Sequence, residues 1–196
     1  MARMQIMNLI AHLKQECGVE VSLESGRPVL DISAMKGPRW PRKVNPALCV
    51  AIDPYGPDAK RRWPVPRFEI LIANLDSIGL KSVAVGVPGL DQADESLSRV
   101  VADFSANVDL RNQAAAISKC ILWIGHDTPR RHLAAAVGTP QLVLLPHGEE
   151  SEPSYSDTLF VKPSRGPVES KVLGPLSVTD AAEAVQKLLK RFSKSQ

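Results

Sequence analysis

Asp127, Thr128, Arg130, Arg131 and His132 fall within six consecutive residues of the stretch "WIGHDTPRRHLAAAVGTPQLVLLP". An apolar run precedes them, and an Ala-rich helical pattern ended by Gly138 follows. Thr128 is placed to cap that helix, and Pro129 suits the first helical position, where a missing N–H costs nothing. Arg130, Arg131 and His132 then lie in the first turn, where cations oppose the helix dipole. Two readings are open at this point. Either Asp127 and Thr128 only cap the helix while the arginines are solvated, or an anion offsets the electrostatic cost. Free N–H groups beside guanidinium groups would make a phosphate site.

A second cationic group sits in "IDPYGPDAKRRWPVPRF". An apolar run ends at Asp53, a Pro/Gly loop carries Lys60, Arg61 and Arg62, and Trp63-Pro64 opens a helical pattern. Flexible cations beside a helix start again suit phosphate. Trp63 either stacks on something flat or packs into the core. From Lys36 to Arg67 there are eight Lys/Arg against Asp53 and Asp58. That excess either attracts an anionic ligand or is a solvated face. Nucleic acid is disfavoured as a partner, because the segment lacks interleaved aromatics beyond Trp40 and Trp63. The four histidines (His12, His126, His132, His147) show no metal-ligand spacing, so no metal is expected. Neither a P-loop, a Gly-x-Ser-x-Gly elbow nor a Gly-x-Gly-x-x-Gly is present.

Alternating strands and helices must position these groups. Strand candidates are 47–53, 81–87, 121–125, 141–145 and a weaker 158–162, each nearly all apolar. Helical periods run over 65–78 (with Gly79 as its C-cap), 93–104, 112–120, 129–137 and from 178 to the end, the last opened by Ser177 and Asp180 as a capping box. This order predicts an α/β fold: one Rossmann-like, doubly wound parallel sheet covered on both faces. Ligands of such sheets bind beyond the carboxyl ends of the strands, which directs attention to 53–64, 86–92, 125–132 and 146–157. Ahead of the sheet, Ile6, Leu9, Ile10, Leu13 and Cys17 mark a helix over 2–17 that can fold back or mediate dimerisation. Residues 19–33 read as two extended pieces around Ser25-Gly26, and 36–47 as a Pro-rich basic connector. The expected division is therefore 1–46, a helix, extended strip and linker, and 47–196, a Rossmann-like domain, which the resemblance described below implies to be nucleotide-sugar-binding.

The 196 residues suffice for one full domain and are short for two. An apolar content of 44%, a charged content of 23% and a net charge of +3 are those of a soluble globular protein, with no demand for nucleic acid or membrane. Cys17, Cys49 and Cys120 are odd in number and far apart, which excludes a disulfide framework and suits a reducing cytoplasm. No stretch approaches 18 apolar residues and no secretory layout opens the chain, so no integral membrane segment is expected.

Two separated motifs resemble those of the family-9 glycosyltransferases, the ADP-heptose:lipopolysaccharide heptosyltransferases. "ISKCILWIGHDTPRRHLAAAVGTPQLVLLP" is similar to the family's "ADLVVGNDTGxxHLAAAxGxPxVxLF". "CVAIDPYGPDAKRRWPVPRFEILIANLDSIGLKSVAVG" is similar to "hhhhPGSxxxxKxWPxxxFxxLhxxLxxxGhxVVLVG". The resemblance covers about residues 47–192 and matches the C-terminal, donor-binding half of a two-domain (GT-B) fold. The acceptor-binding half, which carries the general base, has no counterpart in it. By resemblance, Arg61 takes the place of the cation that meets the nucleotide phosphates, and Asp127, Thr128 and His132 line the donor pocket; Arg130 and Arg131 occupy variable positions. The sequence departs from the pattern at Pro129 for Gly, at His126 for Asn and at Asp-Pro-Tyr-Gly-Pro-Asp for the Pro-Gly-Ser loop.

The resemblance implies a domain that binds an ADP-heptose-like sugar nucleotide as donor substrate, with Arg61 stabilising the leaving diphosphate and Lys60 or Arg62 as substitutes. Transfer would need a separate acceptor-binding subunit or a second copy. Such a domain should also expose apolar or basic surface around its strand ends. The alternative is a catalytically silent nucleotide-binding or interaction module that kept the fold.

Overall fold

The computed structural model describes residues 11, 15, 21–24, 27–33, 35–56, 58–89, 96–105, 109–151, 154–164 and 172–192. The helix expected over 2–17 lies outside them, apart from two helical residues. Strands β1 (Val21–Glu24) and β2 (Arg27–Leu30) form an antiparallel hairpin. The basic connector then leads through a 3-10 turn (Pro46–Leu48) into the main sheet.

That sheet has six strands: β3 (Cys49–Asp53), β4 (Lys81–Ala84), β5 (Ala102–Asp103), β6 (Leu122–His126), β7 (Gln141–Leu144) and β8 (Thr158–Val161). All neighbours pair in parallel, in the order β5-β4-β3-β6-β7-β8. Counted from β3, this is the doubly wound order of dinucleotide-binding folds, which reverses between β3 and β6. The expected Rossmann-like α/β sheet is therefore observed.

Each central strand is buried on both sides, and its alternate residues feed two cores. Cys49 and Ala51 join one core with Trp123, α2 (Leu110–Ile117) and α3 (Pro129–Ala136). Val50 and Ile52 join the other with Trp63, α1 (Val65–Ser77) and α4 (Val178–Phe192). Cys49 and Cys120 are buried free thiols, and burial raises both thiol pKa values. The segment before the sheet packs on the first core through Leu30, Ile32, Met35, Trp40 and Val44. Arg27 ties the hairpin down: its Nε donates to the Ala135 carbonyl at 2.8 Å, and its Nη1 lies 3.0 Å from Asp157 Oδ2.

Helix ends follow the sequence signals. After α1, the Leu80 N–H reaches the Leu75 carbonyl and the Gly79 N–H that of Asp76, both at 3.0 Å, a Schellman closure. Ser177 Oγ accepts from the Asp180 N–H at 3.0 Å at the start of α4. Asp109 caps α2 by accepting from the Arg111 N–H at 2.9 Å.

The helix expected over 93–104 is not formed by residues 96–104. There the chain bends and forms β5, with the Val101 and Phe104 N–H groups each 2.9 Å from the carbonyls of Ser82 and Ala84. Val100, Val101 and Phe104 satisfy a helical period, yet β-branched and aromatic side chains suit a sheet edge better. Of the apolar or basic surface expected around the strand ends, the basic part is present in the exposed Lys60 and Arg61. Among the described residues the large exposed apolar side chains are Leu48, Ile70, Ile78 and Ile121. Three of these precede β3, β4 and β6, at the opposite edge.

Candidate functional site

The carboxyl ends of β3 and β6 meet where the strand order reverses, with Asp53 in register with Gly125. The β3–α1 loop brings Lys60, Arg61 and Arg62 to this edge. The β6–α3 turn brings His126, Asp127, Thr128 and Arg130.

One hydrogen bond fastens the two segments together. The buried Trp63 N–H donates to His126 Nε2 at 2.8 Å. His126 must therefore be neutral at Nε2, and burial, aided by the nearby Arg62, pushes its pKa down to about 3 while a Tyr55 backbone group acts the other way. The Trp63 ring is fully buried, its indole N–H donating to the Leu176 carbonyl at 2.9 Å and its edge meeting Phe68 at 4.8 Å between centroids. Of the two readings of Trp63, packing is the one observed.

Asp58 shapes the cationic loop. Its Oδ1 accepts from the backbone N–H groups of Lys60 and Arg61, both at 3.0 Å. The exposed Arg61 guanidinium lies 3.5 Å from Asp58 Oδ2 and 3.3 Å from Glu149 Oε1, the latter on the loop after β7. Lys60 is exposed and Arg62 half-buried.

Thr128 is the N-cap residue of α3, as expected, but its hydroxyl caps nothing. It is buried and makes no hydrogen bond among the described residues. Asp127 is exposed and accepts from Arg131 Nε at 2.5 Å. Arg130 is half-buried, and its Nε faces Asp53 Oδ2 at 4.0 Å.

Arg131, expected to contact substrate, faces inward. Its side chain is buried, with the guanidinium carbon 5.7 Å from the Tyr155 ring and 5.9 Å from the Phe160 ring. The i,i+4 bond to Asp127 and the two aromatic faces draw it inward, so it orients Asp127 from behind. His132 is also held behind the rim, its Nδ1 paired with the Tyr155 hydroxyl at 2.8 Å. Burial and the adjacent Arg131 lower its pKa to about 3, and burial raises that of Tyr155 to about 12.

Three further residues lie against these groups. Asp53 was visible only as the lone acid ending an apolar strand, and His126 only as a departure from Asn. Glu149 lay within the strand-end segment 146–157, but only the fold brings that loop after β7 to Arg61.

The ends of β3, β4 and β6 crowd Asp53 closely. A Cβ on Gly125 would stand 2.6 Å from the Trp123 ring and 2.9 Å from Asp53 Cβ. Gly125→Ala should therefore cost about 1–3 kcal/mol in urea unfolding. Wild-type stability in that variant would mean the strand crossing is looser than drawn.

A profile of glycosyltransferase family 9 (heptosyltransferase) matches residues 7–157, well over half of the chain. The protein belongs to glycosyltransferase family 9. No curated protein sequence matches it. Among solved structures, a family-9 glycosyltransferase from Veillonella parvula is 17% identical, with a TM-score of 0.61 over 76% of this chain and 47% of that one. The E. coli ADP-heptose lipopolysaccharide heptosyltransferase II is 15% identical, with a TM-score of 0.61 over 74% of this chain and 47% of that one. The iron-containing dodecameric glycosyltransferase TibC from enterotoxigenic E. coli is 14% identical, with a TM-score of 0.64 over 86% of this chain and 51% of that one. This family-9 chain thus spans about half the length of the structures it matches. None of its described helices is long and apolar enough to cross a membrane.

Proposed function

We propose that residues 47–196 form the donor-binding half of a family-9 glycosyltransferase and bind a sugar nucleotide of the ADP-heptose type. Residues 1–46 are the segment that joins this half to an acceptor-binding unit. The observation that carries the reading is the junction of two cation-bearing segments through Trp63 and His126. Beside that junction, Thr128 Oγ1 and Arg130 Nε are buried atoms without a hydrogen bond, as expected of groups meant for a ligand.

In the reaction, the bond from the sugar's anomeric carbon to the diphosphate oxygen breaks, and the diphosphate leaves with the electron pair. An acceptor hydroxyl takes its place and gives its proton to a base on the acceptor-binding unit, a separate subunit or a second copy. This half contributes electrostatics: Arg61, with Lys60 or Arg62 beside it, and the positive end of the α3 dipole hold the charge that develops on the leaving group. Arg130 adds a guanidinium from the first turn of α3. Asp127, oriented by Arg131, meets ribose or sugar hydroxyls, and His132 supports the turn from behind. Cationic side chains do this without a metal ion. On this reading the work is cytoplasmic, and lipopolysaccharide assembly is its setting.

Replacing Arg61 by Ala should weaken ADP binding about tenfold or more by calorimetry, the scale of one lost charge-assisted contact. Unchanged affinity would remove Arg61 from the site. A second reading, a catalytically silent module, is favoured by one observation: Arg61 already has Asp58 and Glu149 as counter-ions. A thermal-shift series with nucleoside diphosphates and sugar nucleotides tests donor binding, since any ligand of the native state raises Tm, and sugar transfer from ADP-heptose in the presence of an acceptor-binding unit separates the transferase from the silent module. The transferase reading requires a rise with ADP-heptose above that with ADP.

A further inference from the structure

Asp53 is a wholly buried carboxylate at the carboxyl end of a central strand. Its surroundings are built around it. Oδ1 accepts from the Tyr55 N–H at 3.2 Å. A Cβ on Gly86, whose φ is +100°, would stand 2.8 Å from Asp53 Cγ, so that side of the carboxylate has room only for glycine. On the far side Gly125 is equally tight against Asp53 Cβ. Oδ2 makes no hydrogen bond, and neither does Arg130 Nε, 4.0 Å away. A separation of that length attracts without saturating either partner.

We infer that Asp53 is a positioning residue: it is the internal counter-ion of Arg130, steadying the guanidinium when no diphosphate is bound and taking up a proton from solvent when one arrives. The inference rests on the nucleotide-diphosphate reading of the site. An incoming diphosphate competes for the same guanidinium and brings like charge toward Asp53, and both effects favour the neutral acid. The charged and titratable neighbours allow this. Arg130 faces Asp53 from α3. His126, from β6, is held neutral. Tyr55, from the loop after β3, bonds through its hydroxyl to Ser105 at 3.2 Å, and Ser105 in turn donates to Asp103 at the end of β5. From α2, Gln113 donates to the Gly86 carbonyl at 3.0 Å and brings no charge. Burial already sets the Asp53 pKa at about 6, against the pull of Arg130 and the Tyr55 N–H, so a modest further rise carries it across neutrality.

The test measures ADP affinity by calorimetry at pH 5.5 and 8.0 for the wild type and Asp53→Asn. The nucleotide's own phosphate titration is common to both proteins and cancels. The ratio of affinities, variant over wild type, should be near one at pH 5.5 and about tenfold at pH 8.0, since one unit of pKa is tenfold in binding. An equal loss at both pH values would mean that Asp53 only supports the fold, and equal affinities throughout would mean that it does not sense the ligand; either result overturns the inference. The carboxyl titration of Asp53, followed by carbon NMR without nucleotide, provides an independent arm. Arg130→Gln should raise that midpoint, and an unmoved midpoint overturns the pairing. If neither protein binds ADP at either pH, the nucleotide reading fails, and the Arg130→Gln titration alone decides whether Asp53 and Arg130 are coupled.

Discussion

Lowering the pH from 7.5 to 5.0 should cost the folded protein roughly 3 kcal/mol in urea unfolding, the sum of two opposed linkages. His126 and His132 are both buried, with pKa values of about 3 against an ordinary 6.5. A depressed pKa supplies stability that is complete above 6.5 and is lost as the pH falls toward 3. By pH 5.0 each histidine has surrendered about 2 kcal/mol. Asp53 runs the other way. Its pKa is raised to about 6, so its contribution is absent at pH 7.5 and grows as the pH falls through 6. At pH 5.0 it returns about 1 kcal/mol. Replacing His132 by Phe should remove nearly half of the gross loss, because a ring without a proton site cannot titrate. A stability curve flat from pH 7.5 to 5.0 would show that neither histidine is as enclosed as the structure places it.

Trp63→Ala should cost about 3–5 kcal/mol, the range for truncating a fully buried aromatic. The ring fills the core between α1 and α4, and its N–H is spent on the Leu176 carbonyl. The loss should also reach the site, since the Trp63 backbone N–H is the link to His126. ADP affinity should fall along with stability, although Trp63 itself is buried and away from the rim. Trp63→Phe separates the effects: it keeps most of the packing, forfeits the indole hydrogen bond, costs about 1–3 kcal/mol and leaves ADP affinity near wild type. A Trp63→Ala protein as stable as wild type would refute the packing role.

Much of this was legible along the chain. Apolar runs separated by helical periods foretold a parallel sheet with two covered faces, because buried strands and amphipathic helices carry their patterns locally. Gly79 and Ser177 act at helix ends because capping is a contact among near neighbours in sequence. The edge strand β5 was misread, since a Val-Val-x-x-Phe spacing fits a helix face as well as a strand.

The site divides the same way. The sequence by itself determined which segments carry charge and that they flank the carboxyl ends of strands, because composition and order suffice for that. Tertiary structure alone decided where each charge points. Arg131 turns inward to Tyr155 and Phe160 and Arg130 faces Asp53, although the two are adjacent in sequence. Glu149 reaches Arg61 and His126 receives the Trp63 N–H across wide sequence gaps. The physical reason is that hydrogen bonds and ion pairs at these distances depend on how β3, β6 and β7 are brought side by side. No local pattern encodes that juxtaposition.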